Sequence, residues 1–280
     1  MVSPIVFDKD KVENVWSPKH NLGEGAIWTG TEYWHVNIHG PSKAEVGEGP
    51  ALFVHNPYNN NNVRTYPMPS AIGTVVPVSD KNEALIGLQN GIFALDLHTK
   101  ALTQLCNPDN TPNHRLNDGK CSPEGRFWVG SMDFDLKANQ GALFVMDGDR
   151  KTVRSMISGT SISNGIAWSL DSKTMYYIDT PTMVVQAFDY DIVEGTISNG
   201  RTAFAIPPNT GYPDGCVIDS TGNLWIAQWG GSRVVAYQPS DGSIVAEVHL
   251  PASNVTSVTF GGADLSDLYI TTARQDLTEE

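Results

Sequence analysis

Apolar and polar positions alternate along this chain in short runs, each closed by a cluster of Gly, Pro, Asn, Asp or Ser. Long stretches with helical periodicity and caps are nearly absent, so the pattern predicts an all-β chain. Six segments share one plan: EGAIWTGTEYWHVNI, IGTVVPVSDKNEALIGL, DGKCSPEGRFWVGSM, NGIAWSLDSKTMYYID, DGCVIDSTGNLWIAQ and TSVTFGGADLSDLYIT. Each reads as a short apolar strand, a turn, and a second strand rich in Trp, Tyr, Ile and Leu. They begin at Glu24, Ile72, Asp118, Asn164, Asp214 and Thr256, a spacing of roughly 42 to 50 residues, the range of propeller blades. A four-stranded blade cannot bury both faces alone, and a closed ring leaves only short, protected edges. The expected fold is therefore a six-bladed β-propeller forming a single domain over residues 1–280, with GALFVMD and VVQAFDYD as outer strands. A β-sandwich would not repeat one hairpin at this spacing.

In a propeller the first strand of every blade lines the central channel, so equivalent entry positions meet at one mouth. Four of the six repeats carry an oxygen-bearing residue before glycine there: Glu24-Gly25, Asp118-Gly119, Asn164-Gly165 and Asp214-Gly215. The other two carry Ile72-Gly73 and Thr256-Ser257. One Asn-Gly or Asp-Gly pair is a common turn dipeptide. Four converging on one axis make an oxygen-only set with no Cys or His in register. Such a set suits a central-channel metal site for one hard divalent cation, calcium, magnesium or manganese, with zinc or iron fitting less well.

Composition narrows the function classes. A chain of 280 residues, 40% hydrophobic, can bury a sizeable core. Its net charge of −13 provides no basic stripe, which argues against nucleic acid and anionic membranes as partners. No apolar run approaches a membrane span, and MVSPIVFDKDKVENVW shows no secretory leader. Cys106, Cys121 and Cys216, odd in number and without CxxC spacing, read as small apolar fillers in a reduced, cytoplasmic protein. The histidines, among them His20, His35, His39 and His114, show no metal-site spacing. Trp28, Trp128, Trp168 and Trp225 recur at like places and read as core, while Trp229 is the tryptophan expected near a pocket.

The stretches LGEGAIW, HRLNDGKCSPEGRFWVGSM, SNGIAWSLDSKTMYYIDT, GYPDGCVIDSTGNLWIA and VTSVTFGG resemble those of the regucalcin, gluconolactonase and luciferin-regenerating-enzyme family, over nearly the whole chain. The resemblance implies a six-bladed propeller with one divalent cation in its channel and, in many members, hydrolysis of aldonolactones. It puts the metal-binding glutamate on Glu24, the asparagine on Asn164 and the aspartate on Asp214. The family's channel asparagine falls on Asn117, one residue before the Asp118 that the repeat selects. Alternation along a strand allows Asn117 to face the channel while Asp118 ties down the turn. The substrate-contacting arginine falls on Arg115, on the same face as Asn117.

Three departures from the family pattern stand out. Residues 38–56 form a longer connection than usual and are expected to extend over one rim. The connection after GSMDFD is short, as in bacterial sugar lactonases. The stretch TTARQDLTEE stands where relatives continue into another strand. The last blade is therefore expected to lack one strand, with Val12 to Trp16 pairing to it and closing the ring.

The expected activity is that of a lactonase, a metal-dependent carboxylic ester hydrolase opening a small sugar lactone. The cation, held by Glu24, Asn164, Asp214 and Asn117, would polarise the ring carbonyl. Asp214 would take a proton from the attacking water. Arg115 and Asn117 would bind substrate hydroxyls or the ring oxygen. Asp133 and Asp135 are further substrate-binding candidates, their alternative being solvated loop acids. Other readings are a calcium-binding regulatory protein without turnover, a hydrolase of another ester or organophosphate, and a protein-binding scaffold. Polar residues converging on the channel favour an enzyme over a scaffold, and the sensor reading lacks an EF-hand loop.

Overall fold

The computed structural model describes residues 3–16, 20–39, 49–59, 62–79 and 82–277. Its strands fall into sheets in chain order. Blade one is Gly23–Trp28, Tyr33–Asn37, Ala51–Asn56 and Asn62–Pro67. Blade two is Ile72–Pro77, Glu83–Leu88, Gly91–Asp96 and Leu102–Cys106. Blade three is His114–Cys121, Phe127–Asp133, Gly141–Met146 and Val153–Thr160. Blade four is Ser163–Trp168, Thr174–Asp179, Val184–Asp191 and Thr196–Ala205. Blade five is Tyr212–Ile218, Leu224–Trp229, Arg233–Tyr237 and Ile244–His249.

The fold is an all-β propeller, but the described residues build five blades rather than the six expected. Where a sixth would stand there is a hairpin of Asn254–Gly261 and Asp267–Ala273, two strands instead of the three foreseen. The expected pairing of Val12 to Trp16 with that hairpin is also corrected. Ile5–Phe7 instead joins blade five as a parallel fifth strand, with Ile5 opposite Ala246 and Phe7 opposite Val248. This covers backbone groups that the edge strand Ile244–His249 would otherwise leave open. A 3-10 turn at Lys9–Lys11 ends the ladder. Beyond it the chain holds by side chains: Val12 packs among Val248, Val255 and Val258, and Trp16 meets His35 edge-on at 4.9 Å.

The first strands crowd together around the channel, and in all six the pairing register breaks at the same place. The breaks lie between Glu24 and Ile27, Ile72 and Thr74, Leu116 and Gly119, Asn164 and Ile166, Pro213 and Cys216, and Val255 and Ser257. Such bulges bend a strand and re-aim its side chains. At Gly73, Gly165 and Gly215 glycine is required because the neighbouring first strand leaves no room for a side chain, whereas the sixth repeat carries Ser257 there. A Cβ on Gly73 would lie 2.3 Å from the Leu116 carbonyl oxygen, and one on Gly165 would lie 2.7 Å from that of Asp214.

Away from the channel, neighbouring blades share apolar cores. Trp34, Val36 and Leu52 of blade one pack with Val75, Ile86 and Leu95 of blade two. Trp128 and Trp168 meet Tyr190 between blades three and four, their ring centroids 5.8 to 6.1 Å apart, so these tryptophans are core as expected. The hairpin closes on blade one through a Leu22–Ala273 bridge, a 2.6 Å hydrogen bond from Thr256 Oγ1 to the Gly23 carbonyl, and Tyr269 stacked on Trp28 and Tyr33. Cys106, Cys121 and Cys216 are free thiols. Among the described residues no helix is long and apolar enough to cross a membrane. Of the loop expected over one rim, residues 40–48 lie outside the described residues.

Two predictions follow from this packing. Gly165→Ala is expected to cost about 1–3 kcal/mol in denaturant unfolding, because its methyl meets backbone. Gly148→Ala, where a Cβ has nothing within 4 Å, should stay within about 0.5 kcal/mol of the parent. The second concerns the turn of blade five. Burial disfavours the Asp219 charge, yet donors from Trp225, Thr221 and Asn223 outweigh it and hold the carboxyl down at about 2. A carboxylate with a depressed folded pKa stabilises above its unfolded value and loses that contribution as pH falls through the folded one. Asp219→Asn should therefore cost on the order of 1 kcal/mol at pH 7, allowing for its solvent exposure. The same comparison at pH 3 should show a smaller difference.

Candidate active site in the channel

The bulged first strands bring Glu24, Arg115, Asn117, Asn164 and Asp214 to the wall of one cavity of about 380 Å³. All five are buried, although three are charged types that seldom leave water without partners. A relay of hydrogen bonds holds the amides. Arg115 Nη1 donates to Asn117 Oδ1, Asn117 Nδ2 donates to Asn164 Oδ1 at 2.9 Å, and Asn164 Nδ2 donates to Thr180 Oγ1 at 2.8 Å. Thr180 Oγ1 in turn donates to the Pro213 carbonyl at 2.8 Å. Blades three, four and five are thus tied together one residue before Asp214. Asp118 is not on the cavity wall. Its Oδ1 accepts the Gly119 N–H at 2.8 Å, inside the bulge.

Glu24 and Asp214 converge on this wall closely enough that each shifts the protonation of the other. Burial pushes both carboxyls up and the Asp118 charge adds to the effect; Glu24 raises Asp214 further, whereas the proximity of Asp214 lowers Glu24. The Gly25 N–H, 2.9 Å from Glu24 Oε2, and the Arg115 guanidinium oppose it at Glu24 without cancelling it. Asp214 Oδ1 and Arg115 Nε are buried and without a hydrogen-bond partner. An orphaned carboxylate oxygen, a second carboxylate and two amide oxygens with spare lone pairs form a donor set that fits a hard cation. Among the described residues no group of three or more His, Cys, Asp or Glu is placed to hold a metal, so a cation here would need the amide oxygens.

The other expected residues divide. Trp229 lines the cavity, as does His39, which burial holds down at about 4 and therefore neutral at pH 7. Asp133 and Asp135 do not line it. Asp133 is buried at the end of its strand, accepts the Asp135 N–H at 2.7 Å, and lies 3.8 Å from His114 Nε2. Asp179, at the end of the corresponding strand of blade four, accepts the N–H groups of Ser161 and Ile162 in the same manner. Asp133 thus fixes the turn that follows its strand, and Asp179 the segment that enters blade four. Thr180 and Phe134, both on the cavity wall, carry no sequence signal, since each stands in a turn just after a strand.

The family described as SMP-30/gluconolactonase/LRE-like matches residues 22–274. The chain belongs to that family. Among curated members, regucalcin of Xenopus laevis is 34% identical, covering 96% of this chain and 89% of its own length. A Bacillus subtilis protein provisionally named sugar lactone lactonase YvrE is also 34% identical, covering 92% of this chain and 86% of its own. Among solved family structures, a luciferin-regenerating enzyme superposes with a TM-score of 0.84 at 30% identity, over 93% of this chain and 86% of that one. A calcium-binding regucalcin of Agrobacterium tumefaciens gives 0.86 at 25% identity, over 99% of this chain and 90% of that one.

The buried acid pair has a measurable consequence. In the presence of a chelator, Glu24→Gln should raise the melting temperature by roughly 2–4 °C, because it removes about 1 kcal/mol of like-charge and desolvation penalty. Added calcium should then stabilise the parent protein and leave the variant unmoved.

Proposed function

We propose that this protein is a metal-dependent lactonase, opening a cyclic ester by the addition of water. The observation that carries the reading is the convergence of buried Glu24 and Asp214 on one cavity wall, with Asp214 Oδ1 left unpartnered. Family membership and the provisional name of the Bacillus relative support it. In this reading Glu24, Asn164 and Asp214, with Asn117 beside them, hold one divalent cation. Calcium suits the all-oxygen set and accords with the name of the Agrobacterium relative. When bound, the cation supplies a Lewis acid that draws charge from the lactone carbonyl.

The chain's own residues supply the rest. Arg115, steadied by Asn117 Oδ1 and the Leu116 carbonyl, has Nε unengaged and offers it to the ring oxygen or to a substrate hydroxyl. Asp214 accepts a proton as the water oxygen bonds to the carbonyl carbon. It returns that proton to the ring oxygen as the C–O bond breaks, releasing a hydroxy acid and restoring the carboxylate. The same reading takes the Asn254–Ala273 hairpin as the inner half of a sixth blade, because its first strand carries the same bulge. The three free thiols suit a reducing, cytoplasmic setting.

The deciding experiment measures the metal content of the purified protein and then follows acid release from five- and six-membered lactones with each divalent cation. Turnover should vanish with a chelator and return with cation. At saturating metal, Asp214→Asn should lower kcat by about 100-fold or more, whereas Asn164→Ala should weaken metal binding and recover activity with excess cation. A protein that binds calcium yet hydrolyses no lactone or other ester would be a binding protein, as the Agrobacterium relative is named.

A further inference from the structure

The proposed reaction accounts for the acids and amides of the cavity and leaves one arc of its wall unexplained. The strand Phe127–Asp133 runs into a turn, and of Asp133, Phe134 and Asp135 only Phe134 lines the cavity. The two acids hold the turn: Asp133 through the Asp135 N–H, and Asp135 through Asn113 Nδ2 at 3.0 Å and Lys137 Nζ at 3.1 Å. Phe134 packs against the apolar core of blades one and two. Its ring centroid lies 5.8 Å from the Arg115 guanidinium carbon and 5.7 Å from the His39 ring.

Met132, Leu136, Ile162 and Pro181 continue this surface across blades three and four, and Ile38 joins it from blade one. Leu136 is 60% exposed and sits at φ 58°, where a leucine is strained and an asparagine is at ease. Of the polar side chains bordering this arc, Thr180 is already engaged by Asn164 and Pro213, and His39 and Arg115 stand together at its Phe134 edge. The opposite arc differs. Tyr212, Gln275 and Asp276 stand there, with Gln275 Oε1 lacking a partner.

We infer that the lactone bears an apolar, ring-sized substituent seated against Ile38, Phe134, Leu136 and Ile162, in place of a hydroxylated chain. The inference rests on the lactonase reading and names its substrate class. A hydroxyl turned to Ile38, Leu136, Ile162 and Pro181, away from Arg115 and His39, leaves water among apolar side chains and finds no partner. A phenyl or cyclohexyl group leaves water and packs on side chains that the core already holds in place.

The test compares three six-membered lactones on the metal-loaded protein: one carrying a phenyl group, the bare ring, and an aldonolactone. The phenyl-bearing lactone is expected to have a kcat/KM at least about tenfold above the aldonolactone, chiefly through KM. Phe134→Asn and Leu136→Asn should each shrink that ratio severalfold. Leu136→Asn puts at an exposed left-handed position the residue best suited to it, so it tests the arc even if the first variant folds poorly. Preference for the aldonolactone, or a ratio that neither variant moves, overturns the inference and leaves the lactonase reading standing. If no lactone is hydrolysed, the lactonase reading falls, and calorimetry with the matching phenyl-bearing and hydroxylated cyclic ethers decides the arc alone. Binding of the phenyl ether about tenfold tighter, weakened in Leu136→Asn, supports the apolar arc; equal or weaker binding overturns it.

Discussion

How closely backbone can approach a shared axis is the constraint on which this protein depends. A Cβ on Gly73, Gly165 or Gly215 would fall within 2.8 Å of an atom of the next first strand. Glycine at those places is therefore a condition of closing the ring, and the bulge beside each glycine absorbs the extra residue that tight packing would otherwise exclude. Apolar cores between blades then need only ordinary shape complementarity, since the positions of the first strands are already decided.

The same crowding creates the chemistry. Residues next to the bulges have little choice but to meet, and at one mouth those that meet include Glu24 and Asp214, two buried acids on one cavity wall. A fold selected for stability alone would put apolar side chains there. Holding Asn117, Asn164 and Thr180 in one hydrogen-bonded relay keeps the amides fixed around that acid pair. Strain and order thus sit side by side, the usual arrangement where a polar site must be ready before its ligand arrives.

Much of this was legible in the sequence because the repeat carries two independent signals, alternation of apolar residues and a glycine after the channel residue. The limits are equally physical. Asn117 and Asp118 could not be separated by periodicity, since a bulge inserts a residue just where counting by two is needed. Ile5–Phe7 pairs in parallel with an edge and leaves its side chains exposed, so no alternating pattern marks it. Asp133 and Asp135 drew attention as acids near the mouth, yet beyond the last residue of a strand alternation no longer says which side chain turns inward, and it is Phe134 that does. Thr180 was silent for the same reason. The hairpin strands were visible, but no pattern of residues told how many partners they would find.

Ring closure through Thr256 and Ser257 also bears on how the chain finds its structure. Those contacts join residues 233 and 231 positions apart in sequence. Contacts of such separation form late, because a long loop must be closed before they return any stabilisation. Blades two, three and four can assemble from local hairpins while the chain is still being synthesised. The channel-side flank of Gly23–Trp28 stays uncovered until the Asn254–Gly261 strand has been made. Glu24 and Asp214 meet under the same delay, so the acid pair is absent from every shorter nascent chain and arises only as the two ends of the circle come together.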